Sequence, residues 1–238
     1  MKLLQFVGLL LVVLIGFTAC NKSDEPPVDL KRDYFPTDSG RYWIYDVDSI
    51  LFDDFNEPNI FTDTLTSQIL EVITAKFTDL QGQESCRVER YWRSNESAPW
   101  KLINVWSTTL TATSAERIEE NLRFVKLVFP LSIGTKWNGN VFINVDQSLE
   151  YLEDWEYEIT SLDEPATINE LNFDKALTVL YQDWETEIDK KYGTEQYARN
   201  VGLIYKEVLF LKKDFPKPWS EPRSGFIVKM SIKEFGTI

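Results

Sequence analysis

The sequence of 238 residues contains no histidine. Without histidine there is no Ser-His-Asp triad, no Cys-His pair and no zinc site of the kind built with imidazole ligands. The Gly-x-Ser-x-Gly and Ser-x-x-Lys patterns of common serine nucleophiles are also absent, as are the glycine-rich loops that hold nucleotide phosphates. We therefore predict no catalytic residue, no metal site and no cofactor, and we expect a protein that is not an enzyme.

Cysteine is almost as scarce, with two residues in the whole chain. Cys20 closes the first apolar run, where it has the chemistry of a lipidation site rather than of a disulfide partner. No intramolecular disulfide and no thiolate cluster are therefore predicted. Cys86 lies in a β-rich stretch and is expected to be a small buried side chain rather than a reactive thiol.

Positive charge is in short supply, because 25 Lys and Arg residues face 38 Asp and Glu residues and the formal net charge is −13. Nucleic-acid binding requires clustered Lys and Arg to neutralise phosphates, so no nucleic-acid partner is expected. A hydrophobic content of 43% is ample for a core. The length suits one large β domain or two small ones, and we favour a single β-rich domain over residues 34–238.

The first twenty residues have the pattern of a lipoprotein signal peptide. Lys2 supplies a positive charge, residues 6–17 form an apolar run, and the small residue Ala19 precedes Cys20. This run is too short for a membrane-spanning helix, which needs about 20 residues. We predict a signal peptide over residues 1–19 and lipidation of Cys20, which would anchor the protein in a membrane. The alternative is a secreted protein in which the cysteine is incidental.

Residues 20–33 are predicted to be a lipidated, flexible tether, because they contain Pro26-Pro27 and mostly polar or charged side chains. Within this segment, Asn21-Lys22-Ser23-Asp24-Glu25 resembles the acidic export signal of Bacteroidota-type lipoproteins that are sent to the outer face of the outer membrane. The resemblance implies a lipid anchor in the outer membrane, with the cell surface favoured over the periplasmic leaflet.

Alternating apolar and polar residues predict β-strands throughout the mature chain, as in residues 101–113 and 226–233. Turn residues separate the strands at Gln81-Gly82-Gln83 and at Glu119-Glu120-Asn121. Residues 194–199 could form one helical turn. We predict an all-β fold, or a mainly β fold with a short helical insert, arranged as an antiparallel sandwich or a curved half-barrel.

The pattern Phe-Pro-x-x-x-Gly-x-x-Trp occurs twice, from Phe35 to Trp43 and from Phe129 to Trp137. In each copy the proline stiffens the approach to a turn, the glycine supplies a positive φ angle, and the tryptophan closes the inward face of a strand. Two copies suggest a domain built from two related halves, residues 34–128 and 129–238.

These motifs, together with the stretch from Tyr197 to Lys206 (Tyr-Ala-Arg-Asn-Val-Gly-Leu-Ile-Tyr-Lys), resemble a group of β-rich lipoproteins of the Bacteroidota type. The group has no assigned activity. The resemblance therefore implies a fold and a location in the cell envelope, and it implies no mechanism. Some similar proteins have the curved antiparallel half-barrel of periplasmic lipoprotein carriers, which is a likeness of fold only.

Carboxylates and tryptophans are the remaining candidates for a site. Two facing acids could hydrolyse a glycan, but with so many acids a pair carries little information. The densest group of oxygen ligands, residues 53–57, lacks the spacing and the glycine of an EF-hand, so no metal is predicted there. Trp100 and Trp219 lie in loops, where each could form a platform for a sugar ring or a protein partner, or pack as a plug. Five tryptophans in strand patterns are expected in the core: Trp43, Trp106, Trp137, Trp155 and Trp184.

Together, these features predict an outer-membrane-anchored lipoprotein of the binding or accessory type, with no catalytic activity. Its partners would be the membrane, through the lipid, and an envelope protein complex or a glycan. Two alternatives stay open: a carboxylate-based glycan hydrolase or glycan-binding module, and a carrier of lipid or lipoprotein. The carrier predicts a large apolar cavity beneath the curved sheet.

Overall fold

The computed structural model describes residues 29–55, 60–145, 149, 152 and 155–238. The predicted signal peptide, Cys20 and most of the predicted tether lie outside these residues. The described chain contains a short 3-10 helix at Arg32–Tyr34 and no α-helix. Its twelve strands are β1 (Arg41–Asp53), β2 (Phe61–Thr78), β3 (Glu84–Arg93), β4 (Lys101–Leu110), β5 (Ser114–Glu119), β6 (Leu122–Val128), β7 (Lys136–Asn138), β8 (Glu156–Ile168), β9 (Leu171–Glu185), β10 (Asp189–Ala198), β11 (Gly202–Lys212) and β12 (Ser224–Thr237).

All twelve strands form one antiparallel sheet in the order β6-β5-β4-β3-β2-β1-β12-β11-β10-β9-β8-β7. Strands that are consecutive in the sequence pair with each other, except for β6 and β7 at the two ends of the sheet, and β1 additionally pairs with β12 in register from Arg41 opposite Thr237. The sheet curls into a nearly closed, barrel-like structure, which confirms the all-β half-barrel prediction. The predicted helical turn at residues 194–199 is wrong, because residues 194–198 belong to β10.

The two ends of the sheet meet at a seam between β6 and the chain around β7. The amide of Val125 on β6 donates a hydrogen bond of 2.8 Å to the carbonyl of Gly139. The indole Nε1 of Trp137 donates a second bond of 2.8 Å to the carbonyl of Val125. Because β7 has three residues, the seam is held by these few contacts rather than by a full strand ladder.

The glycines of the repeated motif occupy equivalent turns. Gly40 has a φ of 87° and Gly134 a φ of 80°, the left-handed conformation that glycine adopts most readily. The amide of Gly40 donates to the carbonyl of Ile73 on β2, and the amide of Gly134 donates to that of Ile159 on β8, both at 2.8 Å. The positive φ expected from the sequence is present in both copies, and the division into two related halves stays a prediction.

The tryptophans of the two motifs also play matching parts. Trp43 is buried, and its Nε1 donates a 2.6 Å hydrogen bond to the carbonyl of Val201 in the β10–β11 turn. Trp137 bonds the carbonyl of Val125 across the seam. Each indole therefore ties the strand that follows the glycine turn to a distant part of the sheet.

The N-terminal segment closes one end of the barrel, which we call the near end. Tyr34 is fully buried there, and its hydroxyl donates to Asp163 at 3.0 Å. Arg199 pairs with Asp33 at 2.7 Å and with Asp29 at 3.0 Å. The loops β1–β2, β3–β4, β9–β10 and β11–β12 lie at the opposite end, which we call the far end.

The core lies mainly between the near end and the middle of the barrel. Cys86 is buried in it as predicted, its thiol donates to the carbonyl of Thr37, and burial raises the pKa of the thiol. The described residues include no helix long and apolar enough to cross a membrane.

Candidate functional site

On the side of the apolar core that faces the far end, the barrel interior contains seven charged side chains that form a connected network of ion pairs. We call this network the charge cluster. Its acids are Glu71, Glu119 and Glu195, and its bases are Arg90, Arg117, Lys126 and Lys206. The cluster has four positive charges and three negative ones, inside a chain whose formal net charge is −13. The cluster therefore has a net charge of +1, opposite in sign to that of the whole chain.

One half of the cluster is built around Glu71 on β2. Its side chain is 3% exposed, and it accepts a 2.8 Å hydrogen bond from Nε of Arg90 and another from Nη2 of Arg117. Both guanidinium groups lie over the ring of Trp106, at 3.7 Å and 5.0 Å from its centroid. The carboxylate and the ring fix the two arginines in place.

The other half joins β6 to β10 across the interior. Nζ of Lys126 lies 2.9 Å from Oε1 of Glu195 and 3.2 Å from Oε1 of Glu119. Nζ of Lys206 lies 3.3 Å from Oε1 of Glu195, and the hydroxyl of Tyr197 donates a 2.5 Å hydrogen bond to Oε2 of Glu195. Lys126 is the extra residue at a register shift between β5 and β6, a bulge of the kind that re-aims side chains.

The pKa values of the three cluster acids are all lowered. Burial alone would raise the pKa of Glu195, but attraction to Lys126 and Lys206 outweighs it and brings the pKa to about 2. The same balance lowers the pKa of Glu119, and the two arginines lower that of Glu71 despite its burial. All three acids are therefore ionised at neutral pH.

A cavity of about 40 Å³ lies between the charge cluster and the core, lined by Trp43, Tyr45, Glu71, Arg117 and Tyr197 among others. That volume has room for a few water molecules, since each needs roughly 10–15 Å³ by this measure. It is far too small for an acyl chain.

On the far side of the charge cluster, the concave face becomes an open apolar surface, which we call the cup. Its position follows from the register. Lys206 pairs with Glu195 on one side and with Met230 on the other, and Met230 pairs with Val47. Directly paired residues share a face, and so do residues two apart on a strand. The next two rows toward the far end therefore face the same interior. Most of their residues are apolar, and the rows contain Ser49, Leu51, Asp63, Leu65, Gln182, Trp184, Lys191, Gly193, Val208, Phe210, Phe226 and Val228.

The cup is apolar, aromatic and accessible to solvent. Leu51, Leu65 and Trp184 are 48%, 46% and 45% exposed. The rings of Phe210 and Phe226 pack at 5.3 Å between centroids, and Trp155 stacks on Phe210 at 6.2 Å. The cup is therefore a contiguous apolar surface that is accessible to solvent.

Lys191 is the cation of the cup. Its Nζ lies 5.5 Å from the ring centroid of Trp184 and 5.9 Å from that of Phe210. It forms no ion pair with any residue that the structure describes. The neighbouring Lys190 differs, because its Nζ pairs with Glu185 at 2.8 Å.

Trp100 and Trp219, the two predicted platforms, are both half-buried. The guanidinium of Arg93 lies 4.2 Å from the ring centroid of Trp100. Trp219 donates to Oε1 of Glu185 at 2.7 Å, and Nζ of Lys213 lies 5.1 Å from its ring. The structure does not bring the two together at one site, and each has a cation over its ring.

The sequence-based placement of Trp184 in the core is wrong, because β9 extends beyond the core and places this residue in the cup.

The charge cluster was also not predicted. Its members are scattered over six strands, and a charged residue in an alternating strand normally faces water. Their one sequence signal is weak: Lys126 lies in an apolar stretch, between Val125 and Leu127. Among the residues with a described structure, no group of three or more Cys, Asp or Glu side chains could hold a metal ion.

No protein-family model matches the sequence, and no curated protein matches it. Two crystal structures are similar in shape. A "putative exported protein with YmcC-like fold" from Bacteroides fragilis NCTC 9343 has 8% identity and a TM-score of 0.43, covering 85% of this chain and 98% of its own. A "putative lipoprotein" from Parabacteroides distasonis ATCC 8503 has 12% identity and a TM-score of 0.33, with the same coverage. At these identities and TM-scores, the descriptions of the two proteins are not transferred to this chain. The fold of the chain is established by the strand order of its own sheet.

Proposed function

We propose that this chain is a lipid-anchored protein of the bacterial outer membrane that binds a small apolar ligand in the cup and catalyses no reaction. The observation that carries the proposal is the cup itself. It is a concave apolar surface whose leucines and tryptophan are nearly half exposed in a strongly acidic protein. Exposure of such side chains to water is unfavourable by about 25 cal/mol per Å², so a ligand that covers them is stabilised.

The size of the cup favours a small ligand over a protein partner. It spans six strands from β2 to β9, and five spacings of about 4.8 Å give an arc of about 24 Å. Two rows of side chains cover about 7 Å along the strands. The resulting area, about 170 Å², is well below the roughly 800 Å² that each partner buries in a stable protein interface.

The ionisation of the cluster acids supports binding without catalysis. A glycosidase needs one carboxylic acid that keeps its proton near neutral pH, which requires a raised pKa. The pKa values of Glu71, Glu119 and Glu195 are all lowered instead. These buried acids are therefore suited to holding cations in place.

The anchor and the cup would point in opposite directions. The described chain begins with Asp29 pinned to Arg199 at the near end. Cys20 lies nine residues earlier, so it can be at most about 30 Å from Asp29. With Cys20 lipidated, the near end would face the membrane and the cup would open away from it, toward diffusing ligands. Surface display, as implied by residues 21–25, would give the cup access to the medium.

The cup can be tested with the full chain carrying Cys20→Ala, which removes the acyl chains that would compete for an apolar site. The neutral fluorescent hydrophobe N-phenyl-1-naphthylamine is titrated into the protein. We expect saturable fluorescence enhancement, and we expect Leu51→Ser with Leu65→Ser to weaken binding at least about tenfold, because two of the contacting leucines are lost.

Leu80→Ser is the matched control, since Leu80 is a fully exposed leucine in the β2–β3 loop at the near end. It should leave the titration unchanged. Absence of saturable binding, or equal weakening by Leu80→Ser, would contradict the proposed function.

A further inference from the structure

We propose that the ligand of the cup carries an acidic group, a carboxylate or a phosphate, and that Lys191 binds it. This inference rests on the proposed function and names the chemical class of the ligand. An apolar site that contains one unpaired cation is complementary to an amphipathic anion.

Lys191 has the features of a ligand-binding cation. It lies in the outer row of the cup, between Phe210 on β11 and Trp184 on β9, which it pairs with directly. Its ammonium group is held over the two aromatic rings rather than against a carboxylate.

The charge cluster adds a positive field from the floor of the cup. The side chain of Lys206 is 23% exposed, and the one carboxylate that it pairs with among the described residues, Glu195, is shared with Lys126. Asp63 is the acid in the outer row, opposite Leu51 at the β2 end of the arc. Asp63 lies four strands away from Lys191 in the sheet order. Its negative charge is therefore at the opposite end of the cup from Lys191.

This arrangement predicts how a ligand would lie. Its apolar part would cover Leu51, Leu65 and Phe226, and its acidic group would reach Lys191 beside Trp184. A charge-assisted hydrogen bond is stronger than one between neutral groups, so the acidic group should improve affinity by about tenfold or more.

The test is displacement of bound N-phenyl-1-naphthylamine from the Cys20→Ala chain at pH 8 by four probes that each have a twelve-carbon chain. The probes are dodecanoate, dodecyl phosphate, dodecanol and dodecyltrimethylammonium. We expect the two anions to displace the dye at concentrations about tenfold lower than dodecanol, and the cation to be the weakest. The ratio between the two anions reports which acidic group is preferred.

Lys191→Gln should remove the advantage of the anions and leave dodecanol unchanged. Lys191 has no ion pair to lose within the described part of the chain, so this variant is expected to fold. Lys190→Gln is the control, because it removes a positive charge from the adjacent residue, whose side chain is held by Glu185. It should preserve the preference for anions.

The outcomes separate the two proposals. If dodecanol displaces the dye as well as the anions do, or if Lys191→Gln keeps the anion preference, the inference about Lys191 is wrong and the apolar cup stands. If the dye does not bind at all, the proposed function is wrong.

Discussion

Nζ of Lys126 on β6 lies 2.9 Å from Oε1 of Glu195 on β10, across the interior of the barrel. The two residues are brought together from opposite sides of the seam. The side chain of Lys126 is 6% exposed and that of Glu195 is 1% exposed, so neither charge can be solvated by bulk water. Each charge is therefore stabilised mainly by the other.

Replacing Lys126 by Met should lower the free energy of unfolding by about 3–5 kcal/mol, because it leaves buried carboxylates without their main cation. The control is Lys136→Met, which breaks an exposed pair with Glu156 of 2.6 Å and should cost no more than about 1 kcal/mol. Urea denaturation monitored by tryptophan fluorescence measures both. Equal losses in the two variants would show that burial of the Lys126 pair has no energetic role.

The protein should lose stability in acid, between about pH 4.5 and pH 2. The pKa of Glu195 falls from its ordinary value of 4.5 to about 2 on folding. A lowered pKa in the folded state contributes stability that is complete above 4.5 and disappears as pH falls toward 2. The pKa values of Glu71 and Glu119 shift in the same direction. The urea midpoint, measured at several pH values, should fall through this window.

Glu195→Gln tests the assignment, since it removes one of the titrating groups. The acid slope of this variant should be shallower than that of the parent, whereas the exposed substitution Glu156→Gln should keep the parent slope. An unchanged slope in Glu195→Gln would show that the acid sensitivity comes from groups other than Glu195.

Gly193→Ala should destabilise the protein by about 1–3 kcal/mol through overpacking. A Cβ atom at this position would lie 2.3 Å from Cε2 of Tyr181, which is 2% exposed and stacked between Tyr157 and Trp155. Gly193 has no positive φ angle, so the cost is steric. Shortening the ring in Tyr181→Leu should make Gly193→Ala less costly in the double variant. The same cost in both backgrounds would rule out the ring contact as its cause.

The anchor predicts two separate changes in location. Cys20→Ala should move the protein from the membrane fraction to the soluble fraction, because the lipid is lost. Replacement of residues 21–25 by alanine should keep the protein in the membrane and reduce its cleavage by protease added to intact cells. Persistent membrane association of Cys20→Ala would contradict lipidation as the anchor.

Turns were predictable from the sequence because their chemistry is local. Glu120 and Asn121 form the β5–β6 turn with φ angles of 48° and 67°, as the hairpin pattern indicated. Gly82 has a φ of 79° in the predicted β2–β3 turn. Such positions are set by a few adjacent residues.

The charge cluster and the cup were not predictable, because both depend on the pairing of distant strands. Glu195 meets Lys126 only because β10 lies across the interior from the bulge that presents Lys126. In the sequence, Trp184 lies in the alternation of polar and apolar residues that is typical of a core position. Its exposure follows from the length of β9, which extends beyond the core. Register shifts occur in most of the strand pairs, and each one changes which side chains face inward.

The pairing of β1 with β12 also governs when the protein can fold. β1 begins at Arg41 and its partner ends at Thr237, so the two strands are separated by almost the whole chain. Contacts so distant in sequence form slowly. During synthesis from the N-terminus, the first strand would wait for the last, and a chain that stops before Ser224 would expose edges on both β1 and β11. Such edges invite aggregation, so a complete C-terminal strand protects the newly made chain.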